Sequence, residues 1–342
     1  MLVILADDLT GALDSAAPFA GRGIRTDVAL NLDAITGIIA DRPAVLSINL
    51  NTRETSAGEA RAATAATIAL LPPGTRLFKK VDSRLKGNIV AELDAIPFTR
   101  ALVAPGIPEF GRVVANGCVT GFGIDAPIVI ADRLGAHTAR AHIPDASSAA
   151  DMDVALDVAE NNGTDLLIGA RGLAEALARR MTNMVDAKAA TIPSGPITFV
   201  IGSRDPITLA QIDALRNGHS LTYLPAPNGR LDAESGTRPD LMLVHATPGE
   251  EEVDAQLVAE ALADGVHENL AGYDGTLLLS GGATAEAVLR RLGLSRLRLH
   301  GECLPGLGLA SAQGRCIIAK SGGFGHPHTL KQIADMVLRK AG

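Results

Sequence analysis

Residues 1–15, MLVILADDLTGALDS, decide how the chain is read. The apolar run at residues 2–5 has the length of a buried strand and stops at two adjacent carboxylates, Asp7 and Asp8. Thr10, Gly11 and an alanine-rich stretch follow, with Ala12, Ala16, Phe19 and Ala20 at helical spacing and Gly21 and Gly23 as the stop. Strand, acidic loop, helix is the opening of an α/β unit, and in open α/β sheets ligands bind beyond the carboxyl ends of the strands. Two charges are thus placed at a ligand-binding edge within the first eight residues. Adjacent positions on an extended backbone face opposite ways, so the two side chains are expected to diverge unless the turn that begins here breaks the alternation.

Working outward, residues 26–30 and 44–48 read as further strands, the second leading into a polar loop that carries Arg53. Residues 58–71 read as a helix ended by Pro72 and Pro73. A short strand around Leu77 and Phe78 then feeds KKVDSRLKGN at residues 79–88, which sets Lys79, Lys80, Arg84 and Lys86 among Asp82, Ser83, Gly87 and Asn88. Helical spacing resumes at Ile89, Leu93 and Ile96, and residues 101–104 and 166–169 are buried strands. Periodicity fades over residues 181–196, which end in Pro, Ser, Gly and Pro; the domain boundary is expected there, dividing the chain into 1–190 and 191–342.

Beyond the boundary a strand-turn-helix module recurs, at residues 197–201, GSRDP and 208–215; at 276–279, SGGAT and 285–292; and at 316–319, KSGGFGHPH and 330–338. The three turns should share one edge of one sheet. Glycine there lets backbone N–H groups face an anion, and the helix N-terminus adds positive partial charge. One such turn is ordinary α/β architecture, whereas three, one with Lys320 beside Gly322, Gly323 and Gly325, point to a nucleotide. No GxxxxGK[ST] loop occurs, and no GxGxxG opens a helix after the first strand.

Composition narrows the class. The chain has 342 residues, 47% of them hydrophobic, with no Trp, two Tyr and seven Phe, so its cores are aliphatic and α/β is favoured over an aromatic-rich β sandwich. A net charge of −7 argues against a duplex nucleic-acid partner, which requires a basic face. Cys118, Cys303 and Cys316 have neither zinc-site spacing nor disulfide-scaffold density. The first strand follows Met1 directly, and no apolar run is long enough to span a bilayer. The expectation is a cytoplasmic protein with a small-molecule ligand and no membrane or nucleic-acid partner; a homo-oligomer stays open.

Asp7 and Asp8 admit three readings: a helix cap, hard oxygen ligands for a divalent cation, or a proton acceptor. Arg53 offers a bidentate fork that matches a carboxylate. With the 79–88 run it suggests an acid-sugar pocket. His326 and His328 are neighbours in a loop better read as solvent-facing than as a metal site.

ADDLTGALD, FKKVDSRLKGN, APGIPEFGRVVANG, IGSRDPITLAQI, LLLSGGATAEAVLRRLG, and ECLPGLGL followed by AKSGGFGHPHTL, in that order along nearly the whole chain, resemble the four-carbon acid sugar kinases. The resemblance implies two Rossmann-like α/β domains with largely parallel sheets facing an inter-domain cleft. It also implies phosphorylation by ATP and Mg²⁺ of a terminal hydroxyl on threonate, erythronate or a 3-oxo-tetronate. Residues 1–190 would bind the sugar acid through Asp7, Asp8, Arg53, Lys80, Asp82 and Ser83, and residues 191–342 the nucleotide through Ser203, Gly281, Gly282, Ala283, Thr284, Lys320, Gly322, Gly323 and Gly325. No metal ligand is assigned. Arg84 departs from the small hydroxylated residue common in the family, Ala283 from a glutamate, and residues 126–166 are reduced.

Phosphoryl transfer asks mainly for positioning and for charge at the phosphoryl oxygens. Arg53, Lys80 and Ser83 would hold the acid, Asp8 would orient or deprotonate the attacking hydroxyl with Asp82 as the competing base, and Lys320 with the glycine turns would cradle the triphosphate. Domain closure would exclude water. Two rivals are a Rossmann-like phosphohydrolase with Asp7 or Asp8 as nucleophile, and a non-catalytic sugar-acid sensor.

Overall fold

The opening run forms β1 (Leu2–Ala6), buried at every position, and α1 (Leu9–Ala20). In this computed structural model, which describes residues 1–231, 239–270 and 273–338, the chain divides into two compact units, Met1–Lys188 and Ala189–Gly342.

The first unit continues through β2 (Thr26–Ala29), α2 (Ala34–Ala40), β3 (Val45–Asn49), α3 (Ala57–Ala69), β4 (Arg76–Lys80), α4 (Ile89–Leu93) and β5 (Ala101–Ala104). A small antiparallel sheet of β6 (Arg112–Ala115), β7 (Cys118–Gly121) and β8 (Ile128–Val129) is inserted before α5 (Ile130–Leu134), β9 (Ala141–His142), α6 (Ala149–Asn161), β10 (Leu166–Gly169) and α7 (Arg171–Thr182). The main strands run parallel in the order β2-β3-β1-β4-β10-β5-β9. Helices cover such a sheet on both faces, which is why Val3, Ile4, Leu5, Leu46, Phe78, Leu102 and Val103 form unbroken apolar runs and are all inaccessible to solvent. Small residues let α1 lie close on β3, where the Ser47 hydroxyl donates to the Ala12 carbonyl at 2.8 Å. Reciprocal capping boxes, Ser56 with Glu59 and Ser148 with Asp151, start α3 and α6.

The second unit comprises β11 (Ile197–Ile201), α8 (Pro206–Gly218), β12 (Thr222–Pro227), β13 (Leu241–Thr247), α9 (Ala255–Asn269), β14 (Thr276–Ser280), α10 (Gly282–Arg291), β15 (Arg296–Leu304), β16 (Leu307–Ala312), β17 (Arg315–Lys320) and α11 (Thr329–Leu338). Its strand order is β12-β13-β11-β14-β17-β16-β15, parallel through β17 and antiparallel thereafter. Phe199, Ile201, Leu243, Leu278, Ile318, Leu330 and Ile333 fill one core against α8 and α11.

Both units wind alike. The first strand is central, the second lies outermost on one side, the third returns between them, and the fourth crosses to the other side, although no repeat is visible in the sequence. Strand order therefore reverses between β1 and β4 in one unit and between β11 and β14 in the other, the positions where open α/β sheets hold ligands. Among the described residues no helix is long and apolar enough to cross a membrane.

Candidate active site

At the first reversal Ala6, Asn49 and Lys80 stand level in register, so the loops after β1, β3 and β4 leave the sheet together. The Asp7 carbonyl accepts from Thr52 N at 2.9 Å and Arg53 N at 3.2 Å, which ties the Arg53 loop to the end of β1. Arg53 then spans both carboxylates: Nε and Nη2 donate to Asp7 at 2.8 Å each, and Nη1 and Nη2 to Asp8 at 2.7 and 3.0 Å. The expected divergence of the two side chains is thus corrected. The backbone leaves the strand at Asp8 to cap α1, and this turn swings both carboxylates onto one guanidinium.

Asp8 is the N-cap of α1, with Oδ1 accepting from Gly11 N at 2.9 Å and Oδ2 from the Thr10 hydroxyl at 2.7 Å. With the two Arg53 bonds its roughly four acceptor positions are filled. Arg53 has four bonds from five N–H donors, so its fork is engaged within the chain and is not open for a bidentate hold on a ligand. Burial pushes the Asp7 carboxyl up, but the Arg53 bond and the charges of Lys79, Arg53 and Lys80 outweigh it and hold the group below the ordinary carboxylate value. Burial pulls Arg53 down, and its bond to Asp7 with the Asp8, Asp7 and Asp82 charges reverses that, leaving it above its ordinary value.

Beneath this layer the ammonium of Lys79, which is fully buried, pairs with Glu92 at 3.0 Å and donates to the Leu5 carbonyl at 3.3 Å. Glu92 accepts in turn from the Thr52 hydroxyl, and Asn88 Nδ2 donates to the Thr52 and Thr55 carbonyls at 2.8 Å. A buried ion pair thus locks the residue next to Arg53. Lys80 turns toward the first turn of α1: a Cβ on Gly11 would stand 2.9 Å from Lys80 Nζ and 2.5 Å from Asp8 Oδ1, so a side chain at this position would displace both groups. Asp82 Oδ1 accepts from Arg84 N at 2.8 Å, while its other oxygen accepts no bond among the described residues. Ser83 Oγ accepts from Nη1 of Arg112, at the start of β6. Sequence reasoning drew on the run APGIPEFGRVVANG without assigning Arg112 a role, and gave none to Glu92, which reads as one polar residue on a helix.

At the second reversal Ile201, Ser280 and Lys320 are level, and the three glycine turns share one edge as expected. Gly202 N donates to the Ser280 carbonyl at 3.0 Å and Gly281 N to the Lys320 carbonyl at 3.1 Å. Gly281 has φ +105°, and α10 starts from it without a side-chain cap, which leaves Gly282, Ala283 and Thr284 N–H groups without a capping acceptor. A Cβ on Gly202 would lie 1.9 Å from Thr284 Oγ1, and one on Gly322 2.3 Å from Ser203 Oγ. The turns are therefore packed against each other at van der Waals limits, with Gly323 and Gly325 continuing the loop over Asp205 and Gln211. The Gln211 side-chain amide donates to the Phe324 and His326 carbonyls at 3.1 and 3.0 Å.

Lys320 behaves differently from the expected direct cradle. It is 1% exposed, and Nζ donates to Thr208 Oγ1 at 2.9 Å and to the Ser321 and Gly322 carbonyls at 3.0 and 2.9 Å. Its three donors hold the loop from below. Burial lowers it to about 8, against the opposing charge of Asp205. No group of three His, Cys, Asp or Glu side chains among the described residues could hold a metal ion, and His326 and His328 are both exposed. Equivalent strand ends thus carry opposite chemistry: carboxylates and cations suited to a polyhydroxylated anion in one unit, bare amides suited to phosphate in the other.

Two family models match the chain, a sugar-binding N-terminal domain over residues 2–128 and a nucleotide-binding C-terminal domain over residues 198–330. The chain is 26% identical to a D-threonate kinase of Bordetella bronchiseptica over 98% of its own length and 96% of that protein, and 31% identical to a D-threonate kinase of Cupriavidus necator over 66% and 58%. It is also 26% identical to a 3-oxo-tetronate kinase of Pseudomonas fluorescens over 95% and 94%. A crystal structure of a Haemophilus influenzae protein of the DUF1537 family model shares the fold, with a TM-score of 0.71 and 18% identity over 98% of this chain and all of that one. The chain belongs to the four-carbon acid sugar kinase family and is a phosphotransferase acting on an alcohol group.

Proposed function

We propose that this kinase transfers a phosphoryl group from ATP to a terminal hydroxyl of a four-carbon sugar acid, the acid bound by the first unit and the nucleotide by the second. The carrying observation is the pair of reversal points, one lined by Asp7, Asp8, Arg53, Lys80, Asp82 and Ser83, the other by glycine turns. Threonate is the first acid to test, since three relatives are D-threonate kinases, one of them matched over 98% of this chain; three 3-oxo-tetronate kinases make the keto acid the second.

On the nucleotide side the amides of Gly281, Gly282, Ala283 and Thr284, the Ser203 hydroxyl and the Gly322, Gly323 and Gly325 loop would receive the phosphates, with Lys320 as a charge beneath them. The turns fit a phosphate because the first N–H groups of α10 have no side-chain cap. Mg²⁺ bound with ATP would neutralise charge on the phosphoryl oxygens. Such ions take one or two protein carboxylates and otherwise water and phosphate, which agrees with a site offering Asp205 rather than a cluster.

On the acid side the fixed Asp8–Arg53 pair would orient the hydroxyls, and Asp82, whose second oxygen has no partner among the described residues, would take the proton of the attacking hydroxyl. The assignment of the base thereby moves from Asp8 to Asp82, because Asp8 has no acceptor position left. Asp82→Asn should lower kcat about 10²- to 10⁴-fold with ATP affinity unchanged. A near-normal kcat would remove Asp82 from this role. Coupled ADP release over a panel of four-carbon acids tests the reaction itself. Phosphate release from an ester without ATP would support a hydrolase, and stabilisation by ATP and a tetronate without ADP a sensor.

A further inference from the structure

Arg53 cannot serve the carboxylate of an acid while its fork is held by Asp7 and Asp8, so the negative end of the substrate must find its cation elsewhere. The lip of the same site holds two. Arg112 Nη1 donates to Ser83 Oγ, and its Nε and Nη2 donate to the Phe122 carbonyl at 3.1 and 2.9 Å. Arg84 stands beside it: a Cβ on Gly123 would lie 2.9 Å from Arg84 Nη2 and 3.1 Å from Arg112 Nη2, which bounds their separation at 6.0 Å. Among the described residues neither guanidinium forms an ion pair with a carboxylate; the Arg84 side chain is exposed, and Arg112 bonds only to a hydroxyl and a carbonyl.

Two like charges this close repel, and an anion placed between them removes that repulsion and gains the Arg84 fork together with the two N–H groups, one on Nη1 and one on Nη2, that Arg112 has left. The strain shows in Arg112, which burial and the neighbouring Arg84 charge hold below its ordinary value against the pull of Asp82. The Ser83 bond and the Phe122 carbonyl fix Arg112 in place before any ligand arrives, whereas Arg84 reaches in from the loop that also carries Asp82. Resting on the kinase reading above, we infer that Arg84 and Arg112, with Ser83 Oγ, form the clamp for the substrate carboxylate. Arg84 is then a specificity-determining residue: it admits acids and disfavours the uncharged polyol of the same length.

The test uses the full chain and its Arg84→Ser and Arg112→Gln variants, with threonate and 3-oxo-tetronate set against the matching four-carbon tetritol. Calorimetric binding and KM should weaken for the acids about tenfold in Arg84→Ser and ten- to a hundredfold in Arg112→Gln, with kcat within about threefold and tetritol binding unchanged. Equal losses for acid and tetritol would overturn the clamp in favour of a merely structural role. So would acid-over-tetritol discrimination retained in Arg84→Ser, an exposed position whose substitution leaves the fold intact even if Arg112→Gln unfolds. Acid binding by the unaltered protein without ADP release would instead sink the kinase reading, and the clamp would still be read from binding alone. Failure to bind any four-carbon acid would sink the clamp.

Discussion

Replacing Arg53 by Met removes four hydrogen bonds at once and leaves Asp7, whose side chain is 3% exposed, as a buried carboxylate without its fork. Breaking a buried pair by deleting one partner costs about 3–5 kcal/mol, because the remaining charge is neither hydrated nor compensated. For a unit of 150–250 residues each kcal/mol moves the melting temperature by about 2–4 °C, so Arg53→Met should melt about 6–20 °C lower at pH 7. The pH dependence gives the sign. In the unaltered protein Asp7 is held below its ordinary value, so its contribution is whole above pH ~4 and is lost as pH falls through the folded value. In Arg53→Met burial is opposed mainly by the Lys79 and Lys80 charges, the carboxyl rises, and protonation relieves the penalty. The gap between the two proteins should therefore narrow as pH falls from 7 toward 4.5. Adding Asp7→Asn to Arg53→Met should restore more than half of the loss. Far-UV circular dichroism melts of the three proteins at both pH values are the assay. A single variant within about 2 °C of the parent at pH 7, or a gap equal at both pH values, would refute a buried-charge origin.

Lys320 carries the opposite linkage: its folded value of about 8 lies below the ordinary 10.5, so the burial penalty is present below pH 8 and is relieved as pH rises from there toward 10.5. Stability should rise by about 3 kcal/mol over that window in the parent and stay flat in Lys320→Met, as read by chemical denaturation at pH 7.5 and 10. Phosphates over the loop favour the charged ammonium, so ATP binding near pH 8 should take up protons, visible in calorimetry as a buffer-dependent enthalpy that Lys320→Met abolishes. Gly202→Ala would set a methyl 1.9 Å from Thr284 Oγ1, and overpacking of this kind costs about 1–3 kcal/mol; ATP affinity should fall at least tenfold while acid binding by the first unit is unchanged.

Much of the fold was legible because the strands that build each reversal are short, continuous apolar runs closed by glycine, proline or charge. Residues 2–5, 101–104, 166–169 and 197–201 matched β1, β5, β10 and β11 to within a residue, since a doubly covered parallel strand has no polar face to blur the pattern. The small sheet of β6, β7 and β8 escaped notice because β6 and β7 are only partly buried and carry Arg112 and Thr120, so neither is a continuous apolar run, and β8 spans two residues. β15 did alternate, Arg296, Leu297, Arg298 and Leu299 reading out and in, but its partner β16 is a near-continuous small and apolar run that mimics a parallel strand.

By itself the sequence determined the chemistry that each strand end presents: which loops carry carboxylates, which carry cations and which carry bare glycine amides, because those are properties of residue types next to recognisable strands. Pairing was decided by tertiary structure alone. Asp7 and Asp8 converge on Arg53, Lys79 meets Glu92, Lys320 turns beneath its own loop, and Arg112 arrives beside Arg84 from a strand 28 positions away. A side chain's role depends on which of its donors and acceptors the folded chain has already engaged. That depends on register and on the winding that brings strands distant in sequence to one edge, neither of which local composition contains.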